Sequence, residues 1–598
     1  MKSSLSLADG SLAFRVPLAA ILGVAIAASG CGTNANEKAP SGGSAGAAVT
    51  GGSAGSGAAS SGTGGTGSGG RGSAGMSASA GGSAAGTGGS VAAGGGGGSG
   101  IGGAMAAGGI GAGGSAGAGG SGGAAVVGGI SDLTVEANPR STLSAYVKWT
   151  TTEPSSSVVQ FGEGALAWEI TGEGNVTSHE VLVIGMHAAT EYQIRALSVG
   201  ASGAVDGMTT FTTGALPAQI PVATISVHDE AKTQPGWTLM NVQKGDGTNR
   251  ALSGAPPAAV IYDEAGIPVW YFIHGTTNER GGAISVDPTD KGVVMGASLS
   301  PGAPSPAIGP IEVDWGGNTL WECDEPLCGV PDQLSHHTGK LTNGNHITMR
   351  DANMSGGRVS QIFIELSPTN EMVHSIGVED LMTPPSGAAG DWAHGNSITV
   401  DLEKDAAYLS FRWLGLIKAT YSTKAVQWHL PAKYGQDTLG SSFGDMAFVP
   451  PTSQFSDIHD PEIHADGTIL FFDNGGYSGV IEDGNPGNRH TRAVEYLIDE
   501  TAKTATLVWE WPGDFTVDAW YNEQLYVPFW GDADRLANGN VLIAAGRRGT
   551  VAATPESRVI EVTKDTGTVV WELKLPKDHG IFRAERLFPL PLVKRIGQ

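Results

Sequence analysis

Three cysteines in 598 residues exclude a disulfide-dense scaffold. Basic residues are also scarce. Lys and Arg total 34 against 58 Asp and Glu, a net charge of −24 that argues against nucleic acid or an anionic membrane surface as partner. Any local cluster of His and Arg therefore stands out. The apolar run near the amino end, Val16 to Ala28, falls short of the ~20 residues a membrane-spanning helix needs. From Ile220 onward almost nothing carries helical periodicity; short alternating strands and Gly, Asn or Asp turns recur instead.

What is present begins with an export signal. Lys2 and Arg15 precede the apolar run, and Ala28-Ser29-Gly30-Cys31 follows it. These small residues before a cysteine resemble a bacterial lipobox, which implies that Cys31 becomes the lipidated first residue of the mature protein; an ordinary cleaved signal is the alternative. Residues 1–31 are thus expected to be a lipoprotein signal. Residues 32–128 are almost entirely Gly, Ser, Ala and Thr, which cannot offset their own ordering entropy, so they predict a disordered tether reaching roughly 50–60 Å. The absence of Asp after Cys31 resembles outer-membrane sorting, so the expected location is the bacterial cell envelope, with the membrane met only through the lipid. Cys323 and Cys328 sit in Cys-Asp-Glu-Pro-Leu-Cys and are expected to form a small-loop disulfide, because a zinc site would need two more ligands.

Residues 129–216 alternate as a small β-sandwich, with Ala145-Tyr-Val-Lys-Trp149-Thr as one strand and Thr190-Glu-Tyr192-Gln-Ile as a late one. Trp149 is placed in its core. Tyr192 resembles the tyrosine corner of immunoglobulin-like domains, and the stretch resembles a fibronectin type III domain.

Residues 220–598 carry two interleaved repeats. The first is an apolar hairpin that often ends in tryptophan, starting at Ala259, Pro310, Ile362, Lys418, Ala493 and Val559. Six copies at a spacing of about 60 suit four-stranded blades, so the fold class is all-β: a six-bladed β-propeller preceded by the sandwich. Its tryptophans are expected to be structural. The second repeat starts at His336-His337-Thr, His394-Gly-Asn396, His459-Asp460-Pro and Gly531-Asp532, with a Gly turn eight residues after His336, His459 and Gly531. Each copy predicts an inner strand whose leading residue lies near the axis. Ile581-Phe-Arg583-Ala-Glu-Arg586 is expected to supply the last inner strand and close the ring.

His336, His394, Asn396, Arg412 and His459 would then meet at one mouth of the channel. Three histidines can ligate a metal, but a fixed guanidinium among them disfavours a dication and favours an oxyanion. A neutral imidazole in such a cradle can attack a sulfuryl or phosphoryl group. Neighbouring cations keep it neutral.

Trp392-Ala-His394-Gly-Asn396-Ser, Ser410-Phe-Arg412, Ile458-His459-Asp460, Leu470-Phe-Phe-Asp-Asn-Gly475 and Arg492-Ala-Val-Glu-Tyr496 together resemble the bacterial arylsulfate sulfotransferases. The resemblance covers about 220–598, opening at Thr233-Gln-Pro-Gly-Trp. It implies a six-bladed propeller that moves a sulfuryl group from a phenolic sulfate ester to a phenol through a sulfated histidine, with no nucleotide donor and no cofactor or metal. Carried over by motif, His459 is the nucleophile. His394, Asn396 and Arg412 bind the sulfuryl oxygens, and His336 is a further donor or proton shuttle; His337, Asp460 and Asp532 are adjoining candidates. The family commonly has His-His-Asp in the first phrase, where Ser335-His336-His337-Thr338 puts a histidine at the aspartate position, and its late hydroxyl residue has no assigned counterpart here, since the last phrase offers Gly531-Asp532. A non-catalytic surface propeller and a metallohydrolase are the alternatives.

Overall fold

The computed structural model describes residues 125–127, 129–244, 256–275, 285–296, 309–323, 334–354, 357–433, 445–475, 491–512, 527, 530–548, 556–577, 579–588 and 591–597. The expected signal, Cys31, nearly all of the Gly/Ser/Ala tether and Cys328 lie outside the described residues. Cys323 is disulfide-bonded.

Six sheets of four principal strands form a six-bladed β-propeller. The turn chemistry of the two sequence repeats determines their placement. Each apolar hairpin becomes the outer pair of a blade, for example Ala258–Tyr262 with Pro268–Ile273 in blade I and Glu556–Val562 with Val569–Lys574 in blade VI. Each histidine phrase supplies an inner strand: Leu334–Lys340 in blade III, Gly395–Asp401 in blade IV, Ile458–Ile463 in blade V and Asp532–Arg535 in blade VI. Blade II is built from Val286–Pro288, Gly292–Met295, Ile311–Asp314 and Thr319–Glu322. As expected, the hairpin tryptophans Trp270, Trp321, Trp428 and Trp571 are buried.

The ring is closed from both ends of the chain. Ala584–Leu587 adds as the innermost strand of blade I, pairing with Trp237–Lys244, and Thr224–His228 adds outside the last strand of blade VI. Each addition hydrogen-bonds one end of the folded chain to a blade built from the other end. Beyond the ring, Val593–Arg595 pairs with Trp168–Thr171 of the preceding sandwich.

The sandwich has two layers. Ile130–Ala137, Ala145–Ser155 and Val176–Val183 form one; Trp168–Thr171, Val158–Gly162, Glu191–Gly200 and Gly203–Thr212 form the other. Trp149 is buried, stacked on His179 with centroids 4.7 Å apart, and donates to Ser198 Oγ at 2.9 Å. The Tyr192 hydroxyl accepts from the backbone N–H of His187 at 2.7 Å.

Sandwich and blade I share one apolar core. Trp149, Trp237, Trp270 and Trp315 belong to the same buried cluster, and the Trp237 indole packs against Trp168 and against Gly185, where a Cβ would come within 2.5 Å of the ring. His187 bridges Glu163 of the sandwich at 2.8 Å and Asp263 of blade I at 3.0 Å. A core continuous across the junction couples the two parts thermodynamically. Trp237→Ala is expected to cost about 3–5 kcal/mol and to lower a single melting transition seen alike by near-ultraviolet dichroism and limited proteolysis. Two separate transitions would show that the sandwich is an independent module.

Candidate active site

Consecutive inner strands run in the same direction along the channel, so their leading residues gather at one end. Their conformation there is irregular. Pairing slips between Ser335 and Thr338, between Gly395 and Ser397, and between His459 and Glu462, and the backbone takes positive φ at His336 (24°), His394 (54°), Asp460 (47°) and Trp530 (61°). Bulges re-aim side chains that regular alternation would send elsewhere, and positive φ at non-glycine residues is strain of the kind stored at functional sites.

The result is a cavity of about 330 Å³ lined by His336, Asp391, His394, Arg412, Trp413, His459 and Trp530. The structure thus brings together His336, His394, Arg412 and His459 of the residues singled out in the sequence. The His336 and His394 rings meet edge to face at 5.1 Å, and the Arg412 guanidinium lies 4.9 Å over the Trp413 ring. Four singled-out residues lie elsewhere. Asn396 is fully buried; its Nδ2 donates to the Ile458 carbonyl at 2.6 Å and its Oδ1 accepts from Ser410 Oγ at 2.5 Å, so it brackets blades IV and V and positions His459 from behind. The bulge sends His337 the other way from His336, to Arg583 at 3.3 Å. Asp460 and Asp287 pair with the same Arg583. Asp532 is buried and accepts from the Ala584 N–H at 3.3 Å.

Gly531 occupies the slot that His336 and His459 fill in their blades, and no side chain fits there. Its φ is 127°, and a Cβ would collide with the Phe472 ring. The tryptophan before it, Trp530, supplies the wall instead, in space left open by Gly580.

His459 is held in one tautomer. Asn474 Nδ2 donates to the carbonyls of Val527 and Trp530, each at 2.7 Å, which leaves Asn474 Oδ1 as an acceptor for His459 Nδ1–H at 2.5 Å. The proton is therefore on Nδ1 and the lone pair on Nε2, which carries no hydrogen bond among the described residues. Burial, then the charges of Arg412, His336 and His394, hold the His459 pKa well below the ordinary imidazole value. Burial and the His394 charge likewise push His336 down to about 3. Both imidazoles are neutral at neutral pH.

Arg412 is anchored on its far side by Asp457, with Nη2 to Oδ2 at 3.2 Å and both groups buried. Asp473 supports that carboxylate's loop: its Oδ1 accepts the N–H groups of Ser456, Asp457 and Gly475, and its Oδ2 receives Arg492 Nε at 3.0 Å. The Arg492 motif is thus a brace for the cradle. The sequence patterns assign no role to Asn474, Trp413, Trp530 or Asp391. Asn474 is visible there only as part of the motif ending at Gly475.

Among the described residues, the one group of carboxylates and imidazoles close enough to hold a metal ion is Asp532, Asp534 and Glu585, with ligand atoms within 4.8 Å of one another. Burial raises all three carboxyls, Glu585 to about 8. The three cavity histidines do not form such a group. Replacing Asn474 with Leu is expected to leave two buried carbonyls unpaired at about 1–3 kcal/mol each and to free the His459 tautomer, which would slow any attack by its Nε2 by roughly 10²-fold. Rapid-quench rates and melting curves on the same sample check both effects.

Fold and site together define a β-propeller that brings the neutral imidazoles of His336 and His459, the His394 ring and the anchored Arg412 guanidinium to one cavity at the end of its inner strands. The chain matches the family model "Arylsulfotransferase (ASST)" over residues 224–583, and it belongs to that family. It is 27% identical over 227 residues to the arylsulfate sulfotransferase AssT of Lelliottia amnigena, covering 34% of each chain. It is 32% identical over 254 residues to the AssT of Escherichia coli O6:H1, covering 40% of this chain and 39% of the relative. The chain thus matches less than two-fifths of the length of either relative. Among solved structures, the Pseudomonas aeruginosa periplasmic gluconolactonase PpgL is 10% identical at a TM-score of 0.33, covering 59% of this chain and 100% of that one, a likeness too loose to bear on function.

Proposed function

We propose that this protein transfers a sulfuryl group from an aryl sulfate ester to a phenol through a sulfohistidine formed on His459. The observation that carries the reading is the fixed, neutral tautomer of His459, with Nε2 toward a cavity that also holds Arg412. Its lone pair attacks sulfur, the sulfur–oxygen bond to the aryl group breaks, and Arg412 balances charge that moves onto the sulfuryl and bridging oxygens. His336, neutral and half-buried, donates to a sulfuryl oxygen. Trp413 and Trp530 provide flat apolar walls suited to an aryl ring. The names of the two relatives support the same donor class.

The reaction needs no nucleotide sulfate donor and no metal in this reading. The sequence of the amino end, with its export signal and Cys31, supports placement in the cell envelope by a lipid anchor, the propeller held away from the membrane by the Gly/Ser/Ala tether.

Incubation with an aryl sulfate alone tests the proposal. The expected result is one released phenol per chain and a sulfuryl group on the peptide that contains His459, discharged on adding a second phenol. Release without a labelled peptide, or no release, refutes it.

A further inference from the structure

A sulfuryl transfer between phenols leaves a proton to be managed, and the cavity offers three imidazoles for it. His459 is committed on both sides, to sulfur through Nε2 and to Asn474 through Nδ1. His336 is held neutral by burial and by the His394 charge. His394 differs in what stands behind it. Its Nδ1 is hydrogen-bonded to the Asp391 carboxylate, and its Nε2 carries no hydrogen bond among the described residues. Asp391 is itself fixed: Gly390–Asp391 runs parallel to Arg358 and Val359 of blade III, the Gly390 N–H donates to Gly357 O at 2.8 Å, and Asp391 Oδ1 accepts from Gln361 Nε2 at 2.9 Å. Burial would raise the Asp391 carboxyl, but the hydrogen bond and charge of His394 outweigh it and hold it below its usual value.

We infer that Asp391 is a positioning residue that makes His394 the proton carrier of the reaction, leaving His459 as nucleophile alone. The inference rests on the sulfohistidine reading above. An amide behind Nδ1, as at His459, fixes a tautomer without stabilising a cation; a carboxylate behind Nδ1, as at His394, does both, because a charge-assisted hydrogen bond is about twice as strong as a neutral one. In the first half-reaction, His459 Nε2 forms a bond to sulfur and the bond from sulfur to the bridging oxygen breaks. The bridging oxygen keeps that electron pair and takes the proton from His394 Nε2–H, leaving a neutral phenol, a neutral His394 and an N-sulfonated, cationic His459 ring. In the second, His394 Nε2 removes the proton of the incoming phenol as its oxygen bonds to sulfur, and the His459 nitrogen recovers its pair. Charge and protons return to their starting places.

The test is the dependence of rate on the acidity of the phenol. In the full chain, His459 sulfation is timed by rapid quench with a series of phenyl sulfates whose leaving phenols run from nitrophenol to unsubstituted phenol, in the parent protein, Asp391→Asn and Asp391→Glu. A phenolate that leaves readily needs little protonation. Asp391→Asn is therefore expected to lose less than about tenfold with the nitrophenyl ester and about 10²-fold or more with the phenyl ester, a steeper slope than the parent's, while Asp391→Glu moves the slope back toward it. An equal loss across the series, or a slope that Asp391→Glu leaves as steep as Asp391→Asn, overturns the inference. If sulfohistidine forms at His459 while the slopes coincide, only the role of Asp391 fails. If the parent protein forms no sulfohistidine, the underlying reading fails first.

Discussion

His459→Ala is expected to lower sulfuryl transfer by roughly 10⁴-fold or more and to abolish the labelled intermediate. The size follows from what the side chain supplies. Without Nε2, transfer must occur by direct attack of one phenol on the ester of another, which needs both in the cavity together and forfeits the division of one difficult step into two. Residual turnover would then follow a sequential rate law in place of ping-pong kinetics. Truncation also leaves Asn474 Oδ1 without its buried donor, a cost of about 1–3 kcal/mol, so the melting temperature of the variant must be measured beside its rate. A variant that stays folded and keeps more than a few per cent of the parent rate would remove His459 from the mechanism.

The same neutrality makes a pH expectation. Burial and the Arg412 charge keep the His459 pKa well below the usual imidazole midpoint of about 6.5, so the nucleophile is not protonated as the solution passes through that midpoint. Any loss of rate there belongs to other groups, and sulfation by an ester with a readily leaving phenol is the measurement that isolates the nucleophile.

Much of this site is legible in the sequence because a propeller repeats. One phrase recurring with a Gly turn at a fixed distance identifies the inner strands, and the hairpins between them set the blade register. That register places His336, His394 and His459 at one end of the channel, and Arg412 joins them at the end of the strand that returns from Asn396. What is not legible depends on local irregularity or on ring closure. Strand alternation cannot say that a bulge separates His336 from His337 and sends them to different partners. The motif around Asn396 names an amide near the site, yet not that both ends of the amide are taken by Ile458 and Ser410. Asn474 follows blade V's second strand, and only the approach of Val527 and Trp530, 53 and 56 residues on, fixes its orientation. Trp530 itself owes its place to Gly531 and Gly580. The sandwich reads as a separate module, but the apolar face of Trp237 and the carboxyl-terminal strand Val593–Arg595 tie it to blade I.

Arg412→Ala is expected to act on rate and on stability, and the pH dependence of melting isolates the second. Loss of the Arg412 guanidinium from the cavity wall removes stabilisation of oxygen charge in the transition state, about 10²–10³-fold in kcat, and Arg412→Lys restores part of it, since an ammonium replaces the charge but not the planar fork. The stability effect comes from Asp457, buried, with Oδ2 on the guanidinium and Oδ1 without a hydrogen bond among the described residues. Burial, only partly offset by Arg412, raises its carboxyl to about 6 in the folded protein, against about 3.9 for an unfolded aspartate. A raised carboxyl means that the folded state holds the proton more tightly. Its favourable contribution is complete below about pH 3.9 and is lost as pH rises through about 6. Without Arg412 the folded value rises further, and the ionised carboxylate above it has no counter-charge. Arg412→Ala should therefore melt close to the parent near pH 5 and well below it near pH 8, where breaking a buried pair costs about 3–5 kcal/mol. A difference in melting temperature that stays constant between those two pH values would mean that Asp457 is not the group the guanidinium stabilises.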